Sequence, residues 1–253
     1  SIDNDFKITP QELSDAITDK TRMMIYSSPC NPTGTVYNRQ ELESISEVIA
    51  NHPQVIVISD EIYEHINFVG HHTSLGEFQN VYDQVVTVNG VSKAFAMTGW
   101  RLGYIGAPEW IANACTKIQG QFTSGPSSIS QRAAIAAVNA DPSVTHNMRE
   151  SFRSRRELVL TELNKIPGIK SNIPEGAFYV FPDISFFFGK SDGEFMVNNA
   201  DDLSLYILNK VNVALVTGSA FGDPKCLRIS YAASENELRK ALKRIEEALL
   251  LLR

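Results

Sequence analysis

Cysteine is scarce in this 253-residue sequence: Cys30, Cys115 and Cys226 are the only three. They are too few and too scattered for a disulfide framework or a cysteine-based metal knuckle. They fit a reducing compartment, so a cytoplasmic location is expected. No stretch approaches the ~18 consecutive apolar residues of a membrane-spanning helix, and the N-terminus lacks the basic region and apolar run of a signal peptide. Positive charge is also short. Lys plus Arg number 23 against 29 Asp plus Glu, a net charge of −6, without the electrostatic footprint of a nucleic-acid binder. Neither a membrane nor a nucleic acid is expected as a partner. Low-complexity tracts and internal repeats are missing too. So is an initiator Met: the sequence opens Ser1-Ile2-Asp3-Asn4-Asp5, which reads as the interior of a longer chain.

What is present is ordinary for a globular protein, with 43% hydrophobic and 21% charged residues. The length allows one large domain or two modest ones and a sizeable core. Thr9-Pro10-Gln11-Glu12 combines a capping box with Pro at the first helical position, predicting a helix to about Ile17. Met23-Met24-Ile25-Tyr26 has strand length, and Asn31-Pro32-Thr33-Gly34 is dense in turn residues. Asn38 with Glu41 starts a helix through about Asn51. Val55 to Ile58 and Val85 to Val88 are β-branched throughout, which predicts strands buried on both faces. Leu102 to Gly106 reads as another strand, and Pro108 opens a helix. Strands separated by helices predict an α/β sheet with mostly parallel strands, whose ligands sit beyond the carboxyl ends. The polar clusters fall at those ends: Asn31, then Asp60 and Tyr63, then Ser92 and Lys93.

Pro142 opens a long helical pattern to about Lys165, broken by Pro167-Gly168. A smaller α+β part follows. Strands are predicted at Ala177–Phe181, Val213–Val216 and Leu227–Tyr231, and helices at Asp201–Lys210 and from the Ser234/Glu237 cap to Leu251. A boundary near 140–150 gives a large domain over residues 1–145 and a small one over 146–253.

Four residues stand out chemically. Lys93 lies just past a buried strand among small and apolar neighbours. Desolvation there makes an amine nucleophilic, as a Schiff-base lysine requires, although a solvated surface lysine fits the same local sequence. Asp60, at the end of an apolar strand, needs a cationic partner or several donors, and a protonated ring nitrogen, a helix cap or a structural ion pair all satisfy it. Arg101, eight residues after Lys93, matches a phosphate bidentately or an acid on the surface. Arg228, inside a strand of Leu, Ile and Tyr neighbours, suits a carboxylate in a cleft or a structural ion pair.

Taken jointly, these residues fall in the order Asn31-Pro32-Thr33-Gly34, Asp60-Glu61-Ile62-Tyr63, Ser92-Lys93, Gly99-Trp100-Arg101-Leu102-Gly103 and Arg228-Ile229-Ser230. This string resembles the class I/II aminotransferases of the pyridoxal-phosphate fold-type I superfamily, and within it the bacterial aspartate aminotransferase subgroup. The resemblance implies a partial fold-type I large domain followed by a smaller α+β domain. It implies pyridoxal 5'-phosphate as cofactor, an aldimine between it and Lys93, and transamination between an L-amino acid such as aspartate and a 2-oxo acid such as 2-oxoglutarate. Asp60 is then the partner of the cofactor's ring nitrogen, Asn31 and Tyr63 of its phenolate oxygen, and Ser92 and Arg101 of its phosphate. Arg228 holds the substrate α-carboxylate, with Asn31 beside it. A homodimer with active sites at the subunit interface is implied as well. Family members carry well over a hundred residues before the matched region, including a glycine loop and a ring-stacking aromatic. His71 and His72 do not replace these and are expected on a solvated loop. A fold-type I carbon–sulfur lyase, or a non-enzymatic cofactor-sensing module, is the alternative on the same scaffold.

Overall fold

The computed structural model describes residues 1–253. Nine strands form: β1 Met23–Ser27, β2 Ile56–Asp60, β3 Val85–Gly90, β4 Gly103–Gly106, β5 Tyr179–Val180, β6 Lys190–Ser191, β7 Met196–Val197, β8 Val216–Thr217 and β9 Leu227–Ser230. Seven α-helices accompany them: α1 Pro10–Ala16, α2 Arg39–Ala50, α3 Glu109–Phe122, α4 Ser128–Val138, α5 Ser143–Leu163, α6 Ala200–Val211 and α7 Glu235–Leu249. The chain divides into two compact units. One comprises Lys7–Cys30 and Val36–Arg149; the other comprises Ser1–Phe6, Asn31–Thr35 and Glu150–Arg253.

In the first unit the sheet order is β1-β2-β3-β4. The first three strands are parallel and β4 is antiparallel to β3. The register places Ser27 beside Asp60 and Asp60 beside Val88, so β1 and β2 end level and β3 runs two residues further, to Gly90. The helix signals acted as read. Thr9 Oγ1 accepts the Glu12 N–H at 3.2 Å while the Glu12 carboxylate accepts from Thr9 N at 2.8 Å. Asn38 and Glu41 make the same reciprocal pair at 2.9 and 2.7 Å. Helix α2 buries Leu42, Ile45 and Ile49, spaced by three and four residues, against Val57, Leu75, Phe78 and Val85. Burying each such side chain stabilises by ~1.5–3 kcal/mol relative to exposure. Only one face of β2 is fully buried, through Val57 and Ser59; Ile56 and Ile58 are half-buried. The expected burial of both faces is corrected to that extent. Met23 and Ile25 of β1, Tyr104 of β4 and Trp110, Ile118 and Phe122 of α3 are exposed.

The second unit has the three-stranded sheet β5-β9-β8, antiparallel throughout, and a β6-β7 pair. Helix α7 is capped by Ser234, whose side chain accepts the Glu237 N–H at 3.3 Å. It buries Leu238, Leu242, Ile245 and Leu249, a stripe of helical period. Tyr206 of α6 anchors to it by donating to the Ala248 carbonyl at 3.2 Å. The strand expected over 213–216 forms only at Val216–Thr217. No helix is long and apolar enough to cross a membrane.

Candidate active site

The parallel strands of the first unit set three loops at one end of the sheet. Asp60 is the last residue of β2, and its backbone ties both neighbours there. Its carbonyl accepts from Ser28 N at 3.2 Å, and the next amide, of Glu61, donates to Val88 O of β3 at 2.9 Å. The half-buried Asp60 carboxylate accepts the Ile62 N–H at 3.2 Å, which turns the chain out of the strand. Two further turns follow, Glu64 N to Glu61 O at 2.9 Å and Ile66 N to Tyr63 O at 2.8 Å. They bring Tyr63 inward to 3% exposure.

Beyond β3, Val91 and Ala94 are buried and hold the half-buried Ser92 and Lys93 between them. Lys93 Nζ lies 5.8 Å from the centroid of the Tyr63 ring. Its carbonyl accepts from Ala96 N at 3.2 Å, and Ala96 closes the turn with φ 53°. Gly90 allows the loop to leave the sheet closely: a Cβ there would stand 3.0 Å from Leu102 O and 3.1 Å from Gly103 Cα. Arg101 is exposed, takes φ 52°, and donates from Nη1 to Thr98 O at 2.8 Å. One carboxylate, one primary amine, one phenol and one guanidinium therefore belong to the loops at the same sheet end.

Asn31 and Arg228 belong to the second unit. Arg228 Nη1 donates to Asn31 Oδ1 at 2.8 Å. The guanidinium lies 4.7 Å from the Tyr179 ring centroid and 4.8 Å from that of Phe221. Its Nε is buried and lacks a hydrogen-bond partner, so the fork keeps donor capacity for an incoming oxygen acid. The Asn31–Gly34 turn needs its glycine. Gly34 has φ +69°, and a Cβ would stand 2.4 Å from Pro174 Cβ and 2.9 Å from Gly176 O. Its carbonyl accepts the N–H groups of Glu175 and Gly176, both at 2.8 Å. This explains the motif's fixed place beneath β5.

The structure thus groups Asp60, Tyr63, Ser92, Lys93 and Arg101 in one unit and Asn31 with Arg228 in the other. One expectation is corrected. His72 is not on a solvated loop: its side chain is 12% exposed and its Nε2 lies 2.9 Å from the Glu61 carboxylate. Glu61, 3% exposed, also accepts from the hydroxyls of Ser59 and Ser74, each at 2.7 Å. Ser59 in turn lies 2.9 Å from the Tyr26 hydroxyl, whose proton burial holds more firmly than usual. The sequence signal for this network was the polar Ser59 and Glu61 flanking Asp60 in an otherwise apolar strand end.

Comparison with known proteins bears on these groups together. The family model for aminotransferase class I and II matches residues 1–245. A bifunctional aspartate aminotransferase and glutamate/aspartate-prephenate aminotransferase of Petunia hybrida is 50% identical over 99% of this chain and 53% of its own. An aspartate/prephenate aminotransferase of Cereibacter sphaeroides is 43% identical over 95% of this chain and 61% of its own. The crystal structure of the aspartate aminotransferase from Rhizobium meliloti superposes with a TM-score of 0.96 at 40% identity, covering 100% of this chain and 64% of that one. The chain thus spans between about half and two thirds of the length of these proteins.

Proposed function

The chain belongs to the class I and II aminotransferases, and on that premise we propose that the protein is a pyridoxal-phosphate-dependent transaminase moving an amino group between aspartate and a 2-oxo acid, 2-oxoglutarate being the expected acceptor. The observation that carries this reading is the set Asp60, Tyr63 and Lys93 on adjacent loops of one sheet end, with the Lys93 amine 5.8 Å from the Tyr63 ring.

The residues fit the cofactor. A half-buried primary amine, a carboxylate at a strand end, a buried phenol and a guanidinium are the donor and acceptor types an aldehyde, a pyridine nitrogen, a phenolate and a phosphate require. Pyridoxal phosphate, when bound, supplies an aldehyde that condenses with amines and a ring that accepts the electron pair released at the substrate α-carbon. Lys93 is the covalent attachment point and, once released, the base that takes the α-proton and returns it. Asp60 supports the protonated ring nitrogen, because a carboxylate beside it favours the charged form. Tyr63 and Asn31 donate to the phenolate oxygen, and Arg101 and Ser92 hold the phosphate. Arg228 grips the substrate α-carboxylate, while Asn31 accepts from its Nη1 and so holds the guanidinium. The names of the relatives support aspartate as the amino donor. The exposed apolar residues of α3 and α4 support a homodimer, and a cytoplasmic setting belongs to the same reading.

The test is a product assay on the purified protein with pyridoxal phosphate, aspartate and 2-oxoglutarate. Stoichiometric oxaloacetate and glutamate, lost in Lys93→Ala, are expected. Release of ammonia and pyruvate from sulfur-containing amino acids without transfer would instead identify a lyase.

A further inference from the structure

Four of the chain's five histidines, His65, His71, His72 and His146, line one cavity of about 540 Å³ in the sheet-containing unit. Three glutamates share its wall. Glu77 is committed elsewhere: it accepts the Ser74 N–H at 3.0 Å and pairs with Arg39 at 3.1 Å. Glu61 is not. Its Oε1 takes the Ser59 and Ser74 hydroxyls, while Oε2 faces only the His72 ring nitrogen Nε2 at 2.9 Å. With a neutral imidazole, this 3%-exposed carboxylate has hydrogen bonds but no compensating charge among those contacts. Buried charges are ordinarily paired or bound to a metal. Glu64 stands next to it, 28% exposed, with Oε1 3.4 Å from His65 Nε2. Ligand atoms of Glu61, Glu64 and His72 all lie within 4.8 Å of one another. The second ring nitrogen of His72, Nδ1, is buried and has no hydrogen-bond partner, so no partner there fixes the ring's tautomer and Nε2 can present its lone pair to an ion.

We propose that Glu61, Glu64 and His72 form a binding site for a divalent first-row transition ion of the zinc class. A mixed imidazole–carboxylate set suits Zn²⁺, Co²⁺ or Ni²⁺, whereas Mg²⁺ and Ca²⁺ select oxygen ligands. Tetrahedral bonds of ~2.0–2.2 Å separate ligand atoms by roughly 3.3–3.6 Å. If Nε2 is the ligating nitrogen, the Glu61–His72 pair opens by about half an ångström and the wider pairs close around the ion. The Ser59 and Ser74 hydroxyls on Oε1 orient the Glu61 carboxylate from outside the coordination shell. A histidine of the same cavity or a water completes the fourth position. The site is independent of the cofactor-binding reading, since none of its three ligands is assigned there.

The test is a titration of the chain with Co²⁺, followed by its visible absorption, with Zn²⁺ and Mg²⁺ as competitors. One ion per chain is expected, in a site of low coordination number, displaced by Zn²⁺ and not by Mg²⁺. Glu64→Gln and His72→Gln are each expected to weaken Co²⁺ by ~10-fold or more, while His52→Gln, outside the cavity, leaves it unchanged. Glu64→Gln keeps the contacts of Glu61 with Ser59, Ser74 and His72, so it decides the matter even where His72→Gln does not fold. Co²⁺ retaining the spectrum of the aqueous ion, equal binding by Glu64→Gln and the parent, or equal competition by Mg²⁺ would overturn the proposal.

Discussion

Replacing Arg228 by Lys keeps the positive charge and removes the fork. In the structure the guanidinium is fixed on three sides, by Asn31 Oδ1 at 2.8 Å and by the Tyr179 and Phe221 rings at 4.7 and 4.8 Å. A planar group so held offers two parallel donors to a carboxylate; an ammonium is a point charge without that geometry. Truncating one partner of a hydrogen-bonded charge pair costs ~2–5 kcal/mol. Lys retains the field and part of the cation–π attraction, so it belongs at the low end, a loss of about 30-fold in kcat/KM at one decade per ~1.4 kcal/mol. Arg228→Ala belongs at the high end, roughly a thousandfold or more. Every amino acid and 2-oxo acid carries the same α-carboxylate, so the loss is expected to be equal across substrates, with cofactor affinity unchanged. The assay is kcat/KM for aspartate, glutamate and an aromatic amino acid in the parent and both variants. A loss confined to the two dicarboxylates would refute the reasoning and make Arg228 the reader of the distal carboxylate.

Three further outcomes are expected. Asp60→Asn keeps shape and loses charge, so single-turnover proton abstraction falls by far more than cofactor affinity; an unchanged rate would make Asp60 a structural acid. Gly34→Ala forces a Cβ to 2.4 Å from Pro174 Cβ at φ +69°, a cost of about 2–4 kcal/mol from overpacking and the left-handed backbone, read as a lowered denaturation midpoint. The third concerns acid stability. Lys210 at 2.9 Å and the N–H groups of Phe195 and Glu194 hold the Asp192 carboxyl well below its ordinary range. A depressed carboxyl stabilises the fold above the unfolded value of ~3.9 and loses that contribution as the pH falls. The thermal midpoint of the parent therefore drops more steeply than that of Asp192→Asn as the pH is lowered from about 4 to about 2.

The sequence was most legible where local chemistry decides the outcome. Capping boxes at Thr9 and Asn38, the Ser234 cap and the β-branched and apolar runs of β1 to β3 located their elements within a residue or two. Helix α4 went unread for a physical reason. Ser127 makes no side-chain cap, and Ile129, Ile135 and Val138 are exposed, so no apolar stripe marks a buried face. The antiparallel direction of β4 was equally hidden, because strand direction depends on pairing with β3 rather than on the run Gly103–Gly106 itself. At the site, residue types and order pointed to the chemistry, whereas the aromatic clamp on Arg228 and the Glu61–His72 contact link residues 49, 7 and 11 positions apart. No local pattern announces such pairings.

Covalent attachment at Lys93 underlies every other role proposed for the site. Incubating the purified protein with pyridoxal phosphate, reducing with borohydride and mapping the modified peptide by mass spectrometry tests that directly. One pyridoxyl group per chain is expected, on Lys93, and none in Lys93→Ala. Modification of another lysine at full yield, or undiminished labelling of Lys93→Ala, would contradict it.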